Sequence, residues 1–242
     1  LGLGSMFMDT SSELIHSLLP VFMAVTLGSP MAAIGVVEGV AEATAAFTKV
    51  FSGVLSDYLG KRKSLMVFGY ALAAFTKPIF PLATSIHWVF AARFVDRIGK
   101  GIRGAPRDAL VADITPPSER GAAYGLRQAL DSIGAFVGPL LAVVFMAWLA
   151  NDLKAVMWIA VVPAFVTVAI LVLYVREPEH TREARPVRAA PILAGVKQLP
   201  LRYWLVVLLG AVFTLARFSE AFLILRAKSV GLAVGYVPLV MI

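Results

Sequence analysis

The 242-residue chain has no cysteine, which excludes disulfides and thiolate metal sites. No His/Asp cluster has the spacing of metal ligands. No nucleophile–base pair and no glycine-rich phosphate loop is present, so the sequence does not point to an enzyme, a metal site or a bound cofactor. Acidic residues are outnumbered, 15 against 22 Lys and Arg, for a net charge of +7. Yet no basic face exists outside the apolar segments and their short loops. Nucleic acid is therefore not an expected partner, and lipid head groups are the better match for the excess charge. The first apolar segment lacks a basic leader and carries Asp9 and Glu13, so it does not read as a cleaved signal peptide.

What the chain has in excess is apolar length. Hydrophobic residues make up 59% of it, with a mean hydropathy of +0.82. Runs of about twenty apolar residues, enough to cross ~30 Å of hydrocarbon, recur at roughly 6–27, 31–56, 64–86, 88–112, 121–149, 155–175 and 203–225. An eighth begins near Gly231. The fold class is an all-α polytopic membrane protein. Loop cations set an orientation. Lys61, Arg62 and Lys63 follow span two, and Arg176, Arg182, Arg185, Arg188, Lys197 and Arg202 follow span six. The opposite loops, "LGSP", "ATSIH" and "ANDLK", are nearly bare, which places the N-terminus in the cytoplasm. The proline- and charge-rich stretch "REPEHTREARPVRAAP" divides the chain into a six-helix unit (1–175), a cytoplasmic linker (176–202) and the start of a second unit (203–242).

Charge is unevenly shared among the spans. Span six has no ionisable residue between Val156 and Tyr174, and span three has only Lys77 in its interior. Charged groups are costly in hydrocarbon, so spans one, two, four, five and seven are expected around a polar interior, with three and six outside. In span four, Arg93, Arg97, Lys100, Arg103 and Arg107 fall within about a third of the helix circumference at ~100° per residue. Such a stripe predicts a wet, cationic cavity wall, with interhelical salt bridges as the competing explanation for any one member. Its possible partners are Asp9, Glu13 and His16 in span one and Glu38 and Glu42 in span two. Arg127 and Asp131 stand one turn apart in span five. A mid-membrane carboxylate suits reversible protonation, and Glu13 is the leading candidate for coupling.

Three motifs carry a family resemblance. "GVLSDYLGKRK" places Gly53, Asp57, Gly60, Lys61, Arg62 and Lys63 as in the loop signature of the major facilitator superfamily. "RIGKG", from Arg97 to Gly101, is similar to that family's fourth-helix signature, with Lys100 in place of the usual glutamine. Gly125, Gly134, Gly138 and Pro139 fit the fifth-helix antiporter pattern, with Ala142 replacing its last glycine; small residues there favour bending and tight helix packing. The resemblance implies about twelve helices in two pseudo-symmetric halves, a central cavity and alternating access. It also implies a cytoplasmic gate latch at Asp57 and the following cations, for which Asp113 is the acidic partner. "TSSELI" and "RFSEAF" both hold Ser-Glu, as Ser12–Glu13 and Ser219–Glu220, and suggest paired sites with Arg217 one turn below Glu220.

The expected function is secondary active transport of a small solute, driven by the proton gradient, in a bacterial-type plasma membrane, with efflux by antiport favoured. Uptake of an anionic or zwitterionic solute by symport is the alternative, and a channel or a non-transporting sensor or scaffold are further rivals. The last span reaches only Ile242, about a dozen residues where ~20 are needed, so on the order of 150 further residues are expected by analogy with the family.

Overall fold

Runs of apolar residues at helical spacing build the helices of this chain, and glycine or a capping side chain bounds three of them, at Gly60, Asp152 and Ser219. The computed structural model describes residues 1–177, 199–216 and 219–242. Helix α1 (Gly2–Val21) ends in a wider π turn, Phe22–Thr26, just after Pro20. Proline lacks the N–H that the ladder needs and commonly disturbs it there. Helix α2 (Met31–Leu59) stops at Gly60, whose φ of 60° is left-handed backbone that glycine adopts without penalty. Helix α3 covers Arg62–Leu82 with a break at Lys77–Pro78. Helix α4 (Ile86–Ile114) and α5 (Arg120–Trp148) have 29 residues each. Helix α6 (Leu153–Tyr174) starts at Asp152, which accepts hydrogen bonds from the backbone N–H groups of Lys154 and Ala155.

Four of these helices, α2, α3, α5 and α6, are long and apolar enough to cross a membrane. Helices α1 and α4 have the length but carry the charge. The remainder differs from a single seventh span. Leu201–Ala216 (α7) and Glu220–Ser229 (α8) are separate helices, because Ser219 caps the second through a hydrogen bond to the Ala221 N–H. Val234–Met241 then forms 3₁₀ turns.

Helix α1 packs on α5 and α6, while α4 packs on α2 and α3. Missing side chains make these approaches possible. A Cβ at Gly138 would lie 2.7 Å from the Thr10 carbonyl oxygen, and one at Gly134 would lie 2.5 Å from that of Met6. Gly69 and Gly99 let α3 and α4 touch in the same way. At Gly125 there is nothing within 4 Å, and Gly53 makes only ordinary contact with Ala105, so neither glycine serves close packing here. Buried hydroxyls join helices as well: Ser11 donates to Ala160 O (2.6 Å), Thr167 to Gly4 O (2.9 Å) and Ser52 to Gly101 O (2.8 Å).

The apolar core is split in two. One cluster includes Leu14, Leu18, Phe22, Phe80, Val89 and Met146, and another includes Met8, Met66, Tyr70, Leu110 and Leu171. Outward-facing Phe47, Phe51, Phe75 and Leu173 are largely exposed, as expected for side chains that meet lipid rather than water. Helix α8 and the final turns fold back on α1 and α5, where Ile224 and Val237 pack with Val21.

Candidate functional site

Charged residues inside this bundle divide into those that protein partners saturate and those that face open space. The open space is a cavity of about 610 Å³. Helix α1 contributes Glu13, His16 and Pro20, and α2 contributes Glu38 and Glu42. Helix α4 contributes Arg93, Arg97 and Lys100, and α8 contributes Glu220.

The two arginines are held unequally. Arg93 donates to Glu38 from one nitrogen and contacts His16 Nε2 with the other, and the Arg93 and Glu38 side chains are only 4% and 9% exposed. Because a guanidinium can only donate, Nε2 of His16 must accept, leaving Nδ1–H directed at Glu13 3.5 Å away. A chain of contacts thus runs Glu13–His16–Arg93–Glu38. One turn along, Arg97 pairs with Glu42 at 3.0 Å. Arg97 is as buried as Arg93, but the Glu42 side chain is 63% exposed. Breaking a buried pair costs about 3–5 kcal/mol, whereas an exposed pair is worth about 0–1 kcal/mol. Lys100 has no ion-pair partner within 4 Å among the described residues, and it is exposed on the cavity wall.

Behind the wall lies a site that sequence reasoning missed. Lys77 of α3 is fully buried and donates to Asp96 (2.9 Å) and to Ser12 Oγ (3.0 Å), tying α3, α4 and α1 together. A lone lysine in an otherwise clean span was the available signal, since such a charge requires a buried partner. It corrects the expectation that α3 stays outside the polar interior.

Toward the other end of α4 the cationic stripe leaves the cavity. Arg103 sits 4.5 Å from the centre of the Tyr70 ring, and Arg107 donates to Ser5 Oγ (2.6 Å) and pairs with Asp108 and Asp131. Arg127 pairs with Asp131 at 2.7 Å and lies 3.8 Å from Asp108. The expectation of one continuous cavity wall from Arg93 to Arg107 is thus corrected. Fourteen residues cover about 21 Å of helix at 1.5 Å each, and α5 closes against the last part of that length. Helix α5 contributes no wall residue to this cavity. Asp9 is half-buried beside Gly134 and does not line the cavity either. Asp96 and Asp108 are expected from the sequence to offset part of the stripe locally, and Asp108 does so at Arg107, whereas Tyr70 carries no periodic signal that would mark it.

At the basic end, Arg62 contacts Asp113 of α4, donates to Ala109 O (3.0 Å) and lies 3.7 Å from Asp57. The side chain thereby bridges the ends of α2 and α4. Lys63 donates to Val172 O of α6 (3.2 Å), and its backbone N–H reaches Glu177 (3.4 Å). Lys61 is exposed. Glu220 is the first residue of α8, so its setting differs from that of Glu13, which lies within an unbroken helix. Arg217 and most of the 176–202 linker fall outside the described residues. Among the described residues, no group of three or more His, Asp or Glu is placed to hold a metal ion.

This architecture is that of an integral, multi-pass membrane protein. The family model of the Major Facilitator Superfamily matches residues 1–242, and the chain belongs to that family. It is 34% identical over 230 residues to an uncharacterised MFS-type transporter of Methanocaldococcus jannaschii, covering 94% of this chain and 56% of the relative. A multidrug resistance protein MdtH of Photorhabdus laumondii is 28% identical over 145 residues, 60% of this chain and 35% of that protein. Among solved structures, a POT family transporter in complex with a thioalcohol-conjugated peptide superposes with a TM-score of 0.67 at 13% identity, covering 96% of this chain and 50% of the other. The chain spans about half the length of the relatives it matches.

Proposed function

We propose that this chain forms part of a proton-coupled secondary transporter that moves a small carboxylate-bearing solute by alternating access, with export in exchange for protons as the favoured direction. The observation that carries the reading is the cavity itself, where Glu13 has an imidazole rather than an arginine or lysine as its direct partner. A carboxylate permanently paired with a guanidinium stays ionised, whereas one facing a neutral imidazole is free to take up and release a proton. Arg97, Lys100 and Glu220 share its cavity, and Asp9 lies one turn away on α1, so its proton affinity responds to whatever solute occupies the space. The resemblance to a multidrug resistance protein supports export. In this reading the basic end of the bundle faces the cytoplasm of a bacterial-type cell, and Arg62, Asp57 and Asp113 latch the cytoplasmic gate.

The test is solute flux in proteoliposomes under an imposed proton gradient. Glu13→Gln should abolish proton-driven transport while leaving solute exchange measurable. Unchanged coupling in that variant would move the role elsewhere, to Asp9 first.

A further inference from the structure

Two Arg–Glu pairs join the same two helices one turn apart in the cavity wall, yet only one is sealed. Arg93 is closed off by Glu38 and His16, and both members of its ion pair are buried. Arg97 is equally buried, and both arginines leave Nε–H without a hydrogen-bond partner among the described residues, but the Arg97 counter-ion Glu42 is mostly exposed. Lys100, one turn further along α4, presents to the same space an ammonium that has no ion-pair partner among the described residues.

We infer that Arg97 and Lys100 form an exchangeable carboxylate subsite in which the solute's carboxylate displaces Glu42 from Arg97. The wall carries three cations and the four carboxylates of Glu13, Glu38, Glu42 and Glu220, so no net positive field draws an anion in. An entering carboxylate must therefore replace a counter-ion rather than add to the cations. Glu42 is the replaceable one, because its side chain already stands in open space and returns to solvent at little cost. Glu38 is not, because leaving Arg93 would strand a buried charge. A guanidinium fork matches the two oxygens of a carboxylate, and the Lys100 ammonium supplies a second, mobile donor. Exchange of one carboxylate for another on Arg97 breaks and forms equivalent ion pairs, with no covalent change. Glu42 thus acts as a gatekeeper of specificity: neutral solutes cannot displace it.

The inference rests on the transporter reading only in taking this cavity as the solute's place, and equilibrium binding tests it apart from flux. 4-Fluorobenzoate is titrated into the whole protein in nanodiscs and followed by fluorine NMR, with neutral 4-fluorobenzamide as the comparison. The wild type should bind the benzoate and not the amide. Glu42→Gln should tighten benzoate binding about tenfold, Lys100→Gln should weaken it about tenfold, and Glu38→Gln should not tighten it. Adding Arg97→Gln to Glu42→Gln should erase the gain, a measurement that stands even if Glu38→Gln fails to fold. Equal binding of benzoate and amide, no tightening in Glu42→Gln, or a gain that survives Arg97→Gln would each overturn the subsite. Loss of the subsite with intact proton-driven flux removes this inference alone; loss of flux with intact benzoate binding removes the transporter reading alone.

Discussion

The two halves of α4 carry similar residues to different ends. From Ile86 to Lys100 the helix borders open space, and its last two cations keep an exposed counter-ion or none. From Arg103 to Ile114 the cations lie against other helices: Arg103 stands over the Tyr70 ring with no ion pair among the described residues, and Ser5 and Asp131 flank Arg107. Even Asp113 at the end is taken by Arg62. A charge within a membrane helix is costly wherever it stands. Whether it acts as a staple or as a site depends on how many groups the neighbouring helices bring to it. The second half of α4 sets its cations against other helices, whereas the first half, although it too is tied in through Asp96 and Arg93, leaves Arg97 and Lys100 at the open cavity.

Variants can break or sharpen that contrast. The largest loss of stability is expected at the sealed Lys77–Asp96 pair, where Lys77→Ala removes one partner and strands the other. The cost should be about 3–5 kcal/mol, read as a large drop in the thermal midpoint of the detergent-purified protein. Next is Gly138→Ala, whose methyl would meet backbone of α1 at 2.7 Å and should cost about 1–3 kcal/mol by overpacking. Gly125→Ala, facing nothing within 4 Å, is the matched control and should stay within about 0.5 kcal/mol.

Smaller still is the expected stability effect at the basic end. Asp113→Asn weakens a partly exposed ion pair and should cost about 0–1 kcal/mol, yet it should slow transport by loosening the link between α2 and α4. An unchanged rate would show that Arg62 only anchors the loop. Least of all, Lys100→Gln should leave the thermal midpoint nearly unmoved, within about 0.5 kcal/mol, while weakening solute binding. If Lys100→Gln destabilised the fold as Lys77→Ala does, the division of α4 into two halves would be wrong.

Much of the fold was legible because membrane helices announce themselves by length and hydropathy. The loop motif at Gly53–Lys63 and the glycines of α5 pointed to the family as well. Gly60, Gly134 and Gly138 do what their spacing suggested, whereas Gly125 and Gly53 do not, because a glycine is useful only where another backbone comes close. At the site, the stripe in α4 was readable at 3.6-residue periodicity, but its division between cavity and staple was not. That outcome depends on Tyr70, Ser5 and Asp131 arriving from three other helices, and one-dimensional periodicity carries no record of such arrivals. Lys77 shows the same limit from the other side: its buried triad with Asp96 and Ser12 joins residues 19 and 65 positions away. The break before α8 was hidden because Ser219 reads equally well as a residue within a helix and as its cap.

The most direct test of the central claim uses the absence of cysteine from this chain, which makes single introduced thiols clean reporters. Cysteines at positions 97, 100, 103 and 107 would be titrated one at a time with a water-soluble maleimide in membranes. Positions 97 and 100 should react quickly, while 103 and 107 should react slowly. Equal reactivity at all four would contradict the account, because α4 would then be a uniform cavity wall along its whole cationic stripe.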